Sequence, residues 1–478
     1  MARYCRVAVI GTGPSGISAT KALCEEKVFD TIRVFERRDR VGGMWHYDPV
    51  PDVFPDPNAL PRNSQKRIPP KMPTLTPPTP EDTTARTGIH ESLDTNVGAE
   101  VMEFTHTPFP VVNSSLSVER FGPSNPTRPF RVVAQYLENL AKDYLHLISF
   151  NTTVEKVEKK DKKWIVTLRR PHQLYHGQRA DYWWQEHFDA VIVASGQYNV
   201  PLVPDIEGLD LAFKAYPANF EHAKSFRSKD DYVNKKVVVV GGNISSADLV
   251  ADLHVVAKSP LYVSQRGRND TLTFAWGLPN IDVRPTIKKL EMENRGINVT
   301  FSDGTKVKDI DKVIFATGYH LSYPFLDPNP VTPNNRVAGF YQHIFKIGDP
   351  SLALVGQVRA AVSFRVYEYQ AVAVARYFAD RNARPLPSPQ EQDLWEVERL
   401  KHCNPTADFH AIRPDFKGYF EFLRDLAGSP AAGSDGYELP PWDDKWADLA
   451  FAIPGLKERY WRSFHKSDDV QRAGQAKL

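Results

Sequence analysis

The chain has 478 residues, 41% hydrophobic and 25% charged, the composition of a globular protein with room for two or three domains. A formal net charge of +2 excludes the strong positive field that nucleic acid or an anionic membrane selects. No apolar run reaches the roughly 18 residues of a membrane-spanning helix, and with the first strand beginning so early no signal peptide is expected.

In chain order, Val7 to Ile10 is an apolar run that predicts a buried parallel strand. Gly11, Gly13 and Gly16 follow as G-x-G-x-x-G, ahead of a helix. In such a turn the first glycine permits the bend, the second lets backbone approach a pyrophosphate, and the third lets the helix pack on the strand. The helix N-terminus then offers free N–H groups to phosphate. The next strand, TIRVFE, ends in Glu36, which is placed to accept hydrogen bonds from a ribose and disfavours a 2′-phosphate. This turn is expected to hold FAD rather than NADPH.

Pro49 to Pro80 is rich in proline and lacks hydrophobic periodicity, so neither regular helix nor central strand is predicted. It reads as a solvated insertion, or as an excursion across a cofactor. Strands are predicted over Asn151–Val157, Lys163–Leu168 and Phe188–Ser195, the last running into Gly196 where backbone can approach a flavin. PLVPDIEGL reads as an inter-domain linker.

A second strand–turn–helix unit, KKVVVVGGNISSADLVADL, starts at Lys235. Gly241 matches the first glycine, but Asn243 stands at the second position and Ser246 at the third. Asparagine tolerates left-handed backbone, and serine is small enough for helix–strand packing. Arg266, at the end of the following strand, is expected where the first unit has Glu36, and can grip a 2′-phosphate; Arg268 competes for that role. Opposite charges at equivalent places predict FAD in the first turn and NADPH in the second. KVIFATGY, Lys312 to Tyr319, returns the chain to the first domain. From Ser388 a helix is expected, with Leu394, Trp395, Val397 and Leu400 on one face packing back on the flavin domain.

No metal-ligand spacing and no Ser-His-Asp motif appear. Cys5, Cys24 and Cys403 are widely spaced without C-x-x-C, which predicts a reducing compartment without structural disulfides and argues against a flavin disulfide reductase. The sequons at Asn113 and Asn151 are read as chance. The pattern fits a cofactor enzyme, in which the flavin carries the hard step.

Together these features resemble the flavin-containing monooxygenases, particularly their shorter soluble fungal branch. The resemblance spans almost the whole chain. It rests on GTGPSG (11–16), Glu36, VGGMW (41–45), LDTN (93–96), SGQY (195–198), YPANFEHAKSF (216–226), GGNISSAD (241–248) and FATGY (315–319). The family fingerprint F-x-G-x-x-x-H-x-x-x-Y/F is met here by Tyr216, Ala218, His222 and Phe226, so its first two positions depart.

The resemblance implies an α/β fold of two nucleotide-binding Rossmann-like domains. An NADPH domain, 207–322, is inserted into an FAD domain split between 1–206 and 323–478, the latter with C-terminal helices. It implies FAD contacts from Gly11, Gly13, Pro14, Ser15, Gly16, Glu36, Gly43, Met44, Trp45, Asn96, Val154, Gly196 and Gln357. It implies NADPH contacts from His222, Gly241, Gly242, Asn243, Ile244, Ser245 and Arg266, and no metal. Asn96 is the implied catalytic residue, beside flavin C4a and the nicotinamide, where its amide can donate and accept. From the residues alone, D-T-N-V-G reads first as turn chemistry, and the resemblance reverses that.

The implied reaction is reduction of FAD by NADPH, addition of dioxygen to give a C4a-hydroperoxyflavin, and oxygen transfer to a soft nitrogen or sulfur of a small molecule. Alternatives are Baeyer–Villiger oxidation of a ketone, or an NADPH oxidase or redox flavoprotein releasing peroxide. The partners implied are the small molecule and dioxygen; no motif marks an oligomeric state. A cytoplasmic location is expected, or a peroxisomal one through Ala476-Lys477-Leu478, which resembles the S-K-L address.

Overall fold

Two sheets, each with a run of parallel strands, organise the chain. In the computed structural model, which describes residues 2–57, 68–82, 84–175, 177–267, 272–293, 296–360 and 362–475, the first sheet has seven strands. Their order is Phe340–Tyr341, Phe345–Lys346, Leu352–Leu354, Ala190–Val193, Arg6–Ile10, Thr31–Phe35 and Ile148–Ser149. The strands from Leu352–Leu354 onward run parallel.

Alternation along these strands divides two cores. Val7, Val9, Val34 and Ile192 face the helices Pro14–Glu26, Ser363–Phe378 and Phe416–Ala427. Ala8, Ile10, Phe35 and Val193 face an antiparallel sheet through its Trp164, Val166, Leu168 and Phe188. That sheet is ordered Thr74–Thr76, Gln178–Phe188, Lys163–Tyr175, Thr153–Lys160.

The second sheet takes Phe220–His222, Lys312–Phe315, Val237–Val240, Leu261–Ser264 and Ile281–Arg284, all parallel. Val237 and Val239 face the helix Ile244–Leu253; Val238 and Val240 face a three-stranded antiparallel sheet through Ile297, Val299 and Phe301. Between the two sheets the chain crosses twice. The crossings pair with each other, Val200–Pro201 antiparallel to Tyr319–His320.

Several expectations are corrected. Lys312–Phe315 is a central strand of the second sheet, so KVIFATGY reaches the crossing only at Tyr319. The strand expected to end at Leu168 runs on to Tyr175 as half of a long hairpin. The proline-rich stretch is not simply solvated. Phe54 packs in the second core against Phe213, Phe220 and Phe315, and Thr74–Thr76 is an edge strand, where lost N–H donors are tolerated.

The helix predicted from Ser388 is Pro389–His402, opened by a capping box with Glu391. Its inward face differs from the one expected: Leu394 and Val397 are exposed. Gln392 is buried, Trp395 packs edge-on against Tyr341 and His343, and Glu396 pairs with Arg336. Polar and aromatic side chains thus take the place of two aliphatic ones. Among the described residues no helix is long and apolar enough to cross a membrane. The C-terminal tripeptide lies outside the described residues.

Candidate functional site

The first turn is held by backbone contacts that exclude larger side chains. Gly11 has φ +99°, and a Cβ there would lie 2.6 Å from the carbonyl oxygen of Ala194. A Cβ on Gly16 would lie 2.0 Å from the carbonyl oxygen of Gly11. At Gly13 the protein leaves room, with only Gly43 Cα at 3.7 Å. Gly13 is the N-cap of the helix that opens with Pro14 and has no side chain to offer the first N–H groups. A helix start left without a capping side chain is suited to receive an anion.

Glu36 is buried and accepts hydrogen bonds from Thr12 N at 2.9 Å, Thr12 Oγ1 at 2.6 Å and Arg38 N at 2.9 Å. It therefore braces the turn while keeping acceptor capacity. Gly42 N donates to Thr12 O at 2.8 Å, which seats the VGGMW loop against the turn.

Around this turn lie the other residues expected at FAD. Ser15 is buried against Gly356. Trp45 packs edge-on against Phe364, and neighbouring Met44 is exposed. Val154 is a core side chain under the first sheet. Gly196 has φ +74° with nothing within 4 Å of a Cβ position. Gln357 is 1% exposed; its Oε1 accepts from the Tyr323 hydroxyl, while its Nε2 has no partner among the described residues. Ser195 Oγ is likewise buried without a partner. Buried polar atoms seldom go unpaired, and these two, with the open backbone at Gly13 and Gly196, fit a ligand rich in donors and acceptors such as FAD.

The second turn repeats the first bend. Gly241 has φ +145°, and a Cβ there would lie 2.6 Å from Ala316 O. Asn243 has φ −124°, so the left-handed tolerance expected of it is not used. It is an N-cap whose side chain accepts from Ile244 N at 2.9 Å. Ser246 is fully buried, and its Oγ donates to Gly241 O at 2.8 Å. Gly242 and Ile244 are half-buried and Ser245 is exposed at the mouth of this turn.

The strand register corrects one further expectation. Gly11 N bonds Phe35 O and Gly241 N bonds Ser264 O, so the residue level with Glu36 is Gln265, not Arg266. Arg266 comes one residue later and is exposed, level with Arg37. Gln265 is buried with Nε2 unpartnered among the described residues. Arg268 lies outside the described residues.

At the crossing, His222 is buried and neutral. Its Nδ1 accepts from Lys224 N at 3.1 Å, so Nε2–H donates to Gly318 O at 2.9 Å. Burial pulls its pKa down to about 4. Tyr319 stacks edge-on against both His222 and Tyr198. In the fingerprint, Tyr216 is half-buried, Ala218 is exposed, and Phe226 is buried edge-on against His90.

Beside His222 stands a residue that motif reading passed over. Lys224 is buried and donates to Asp52 Oδ2 at 2.5 Å, Thr84 O at 2.9 Å and Asn199 O at 2.7 Å. Arg227 donates to Asp48 O, Lys224 O, Phe226 O and Thr87 O. These cations strap both ends of the proline-rich stretch onto the fingerprint loop. The available signal was a lysine inside the motif and an arginine directly after it.

Asn96 is exposed, and its Oδ1 accepts from Lys457 Nζ at 2.7 Å. Lys457 also reaches Asp248 Oδ1 at 2.6 Å, on the helix of the second turn. The structure thus brings Asn96 beside the second turn. Gly98, two residues on, lies against the C-terminal helix Lys445–Gln475, where a Cβ would meet Leu449 O at 3.3 Å. Cys5, Cys24 and Cys403 are free thiols. Among the described residues no cluster of His, Cys, Asp or Glu could hold a metal.

Two glycine turns at the ends of parallel strands in two sheets, joined by paired crossings, define a flavoprotein that binds two dinucleotides. Comparison with known proteins agrees. Residues 9–58 match an NAD(P)-binding Rossmann-like domain, 96–342 a pyridine nucleotide-disulphide oxidoreductase domain, and 268–430 a flavin-binding monooxygenase-like domain. Flavin-containing monooxygenase FMO GS-OX1 of Arabidopsis thaliana is 30% identical over 82% of this chain and 77% of its own. A thiol-specific monooxygenase of Saccharomyces cerevisiae is 26% identical over 93% and 90% of the two chains. The structure of an S-allyl-L-cysteine S-oxygenase from Allium sativum shares the fold, with TM-score 0.71 at 24% identity over 99% of this chain and 97% of that one.

The chain belongs to the flavin-containing monooxygenase family. It is an FAD- and NADPH-dependent flavin monooxygenase.

Proposed function

We propose that the first turn holds FAD and the second NADPH, and that the enzyme oxygenates a soft sulfur of a small molecule, with Asn96 as the catalytic residue. The NADPH domain is then 207–322, inserted in an FAD domain of 1–206 and 323–478. The observation that carries this reading is the meeting of Asn96 with Asp248 of the second turn's helix, through one lysine. Asn96 ends the LDTN segment in the first half of the molecule and faces the second turn's helix, so it stands where two dinucleotides from the two turns would meet. Similarity to the thiol-specific yeast enzyme favours sulfur over nitrogen.

When bound, FAD reduced by NADPH supplies the activation of dioxygen. The chain supplies the rest. The uncapped helix start behind Gly13 takes one pyrophosphate, and the helix start behind Asn243, whose first N–H is held by the Asn243 side chain, takes the other through its remaining N–H groups; Glu36 takes a ribose, and Arg266 takes the 2′-phosphate. Ser195 Oγ and Gln357 Nε2 are free to meet the flavin ring. Buried His222, neutral and fixed to Gly318, holds the crossing beside the nicotinamide path.

Stoichiometry tests the proposal. In Asn96→Ala, NADPH consumption should continue while product falls and hydrogen peroxide rises, with a loss of about 1–3 kcal/mol at the oxygenation step. Unchanged product per NADPH would make Asn96 a turn residue only. Thiols and thioethers should gain one oxygen by mass. A chain that converted ketones to esters and left sulfur untouched would overturn the sulfur reading. For the turn, Gly13→Ala fits the protein, so it should lose FAD without loss of apoprotein stability.

A further inference from the structure

The C-terminal helix Lys445–Gln475 is anchored in both halves of the molecule. Ala450 packs in the core beneath the first sheet, and Trp461 is buried in the core of the second. Tyr460 lies edge-on to Phe121 and beneath the Arg120 guanidinium, which itself pairs with Asp252 at 3.2 Å. Glu458 Oε2 accepts from Phe274 N at 3.2 Å. Lys457 lies between these anchors, mostly buried, with its ammonium on Asn96 Oδ1 and Asp248 Oδ1. No sequence motif marks this lysine.

An ammonium only donates, so the atom of Asn96 that faces it must be the amide oxygen. The amide is thereby set in one of its two orientations, with its NH2 left for a group on the other side. An unheld amide on an exposed turn could present either end. Asp248 keeps the ammonium in place from the opposite side. The held orientation therefore depends on the first half, the second half and the C-terminal helix together.

We propose that Lys457 is a positioning residue for oxygenation. It fixes the Asn96 amide as a donor toward the bound cofactors, and it ties that orientation to the NADPH-side helix through Asp248. This inference rests on the reading of Asn96 as the catalytic residue. A plain latch between halves would look similar in a static structure, but a partly exposed ion pair used only as a latch contributes little to stability. The two roles separate because positioning acts only when Asn96 is present.

The experiment is a double-mutant cycle on the FAD-loaded enzyme with Lys457→Met, Asn96→Ala and their combination, plus Lys457→Arg. Two quantities are read: product and peroxide per NADPH, and the NADP⁺ dissociation constant from the flavin absorption spectrum. Lys457→Met should lower product per NADPH about threefold to tenfold. It should add nothing, in coupling or in NADP⁺ affinity, on top of Asn96→Ala. Lys457→Arg, which keeps the donors, should recover most of the coupling.

Asp248→Asn is a second route that touches neither Lys457 nor Asn96. By loosening the ammonium it should lower coupling about twofold. Coupled turnover in Lys457→Met or in Asp248→Asn while Asn96→Ala uncouples would overturn the inference and leave the Asn96 reading standing. So would losses that simply add in the double variant. Full coupling in Asn96→Ala itself would remove both.

Discussion

The two glycine turns share a bend and differ in how the helix behind it is received. At the first position both would drive a Cβ to 2.6 Å from a carbonyl oxygen, Ala194 O in one and Ala316 O in the other. Both also donate N–H to the end of the neighbouring strand at 2.9 Å. At the third position they part. Gly16 meets the Gly11 carbonyl directly, whereas Ser246 stands off and donates a hydrogen bond to the Gly241 carbonyl. At the middle position Gly13 faces Gly43, whereas Asn243 faces outward and caps its helix. Only the first glycine is imposed by backbone geometry in both; the other two positions record how closely a neighbour approaches.

The sharpest way to break this comparison is to exchange the third positions. Gly16→Ala forces a Cβ against a carbonyl oxygen, so it should cost at least about 3 kcal/mol and much of the bound FAD, read by urea unfolding and flavin per chain. An unfolding midpoint close to the parent's would mean that the first helix can stand off as the second does.

Acid tests the crossing. His222 is held near pKa 4 in the folded chain against an ordinary value of 6.5. Above about pH 6.5 it is neutral in both states, and its contribution is fully present. Between about 6.5 and 4 only the unfolded chain takes the proton, so stability should fall by up to about 1.4 kcal/mol per pH unit, then level off. His410, lowered to about 3 by burial, adds a similar slope, so the measurement is the difference from His222→Gln. Identical pH profiles for the two proteins would remove His222 from the account.

Coenzyme choice is the next smaller effect. Arg266→Ala should weaken NADPH about tenfold more than NADH, the low end for a charged contact because the side chain is exposed. Gln265→Glu, which installs an acid level with Glu36, should act in the same direction. Equal losses of both coenzymes in Arg266→Ala would move the 2′-phosphate contact elsewhere, to Arg268 first. Smallest of all, Ser246→Ala should cost about 1 kcal/mol, one buried hydrogen bond, measured by thermal unfolding.

Local chemistry made much of this legible in the sequence. A strand buried on both faces is apolar throughout, a tight bend with positive φ against a carbonyl favours glycine, and an uncapped helix start can receive phosphate; VAVIGTGPSG states all three. The family resemblance carried Asn96, His222 and the cofactors. What failed lay in register and in partners. Spacing alone put Arg266 where Glu36 stands, but the hydrogen bond from Gly241 to Ser264 puts Gln265 there. Leu394 and Val397 were expected on the inward face, but Gln392, Trp395 and Glu396 occupy it.

Lys224 and Lys457 show the remaining limit. Asp52 is far from Lys224 in the chain, as Asn96 is from Lys457, yet each pair is in hydrogen-bond contact. The sequence by itself determined the two turns, because their constraints act within a few bonds of backbone. Which cation meets which acceptor was decided only by the tertiary structure. Such a contact depends on how whole sheets and helices pack, and no residue's own neighbours in the chain encode it.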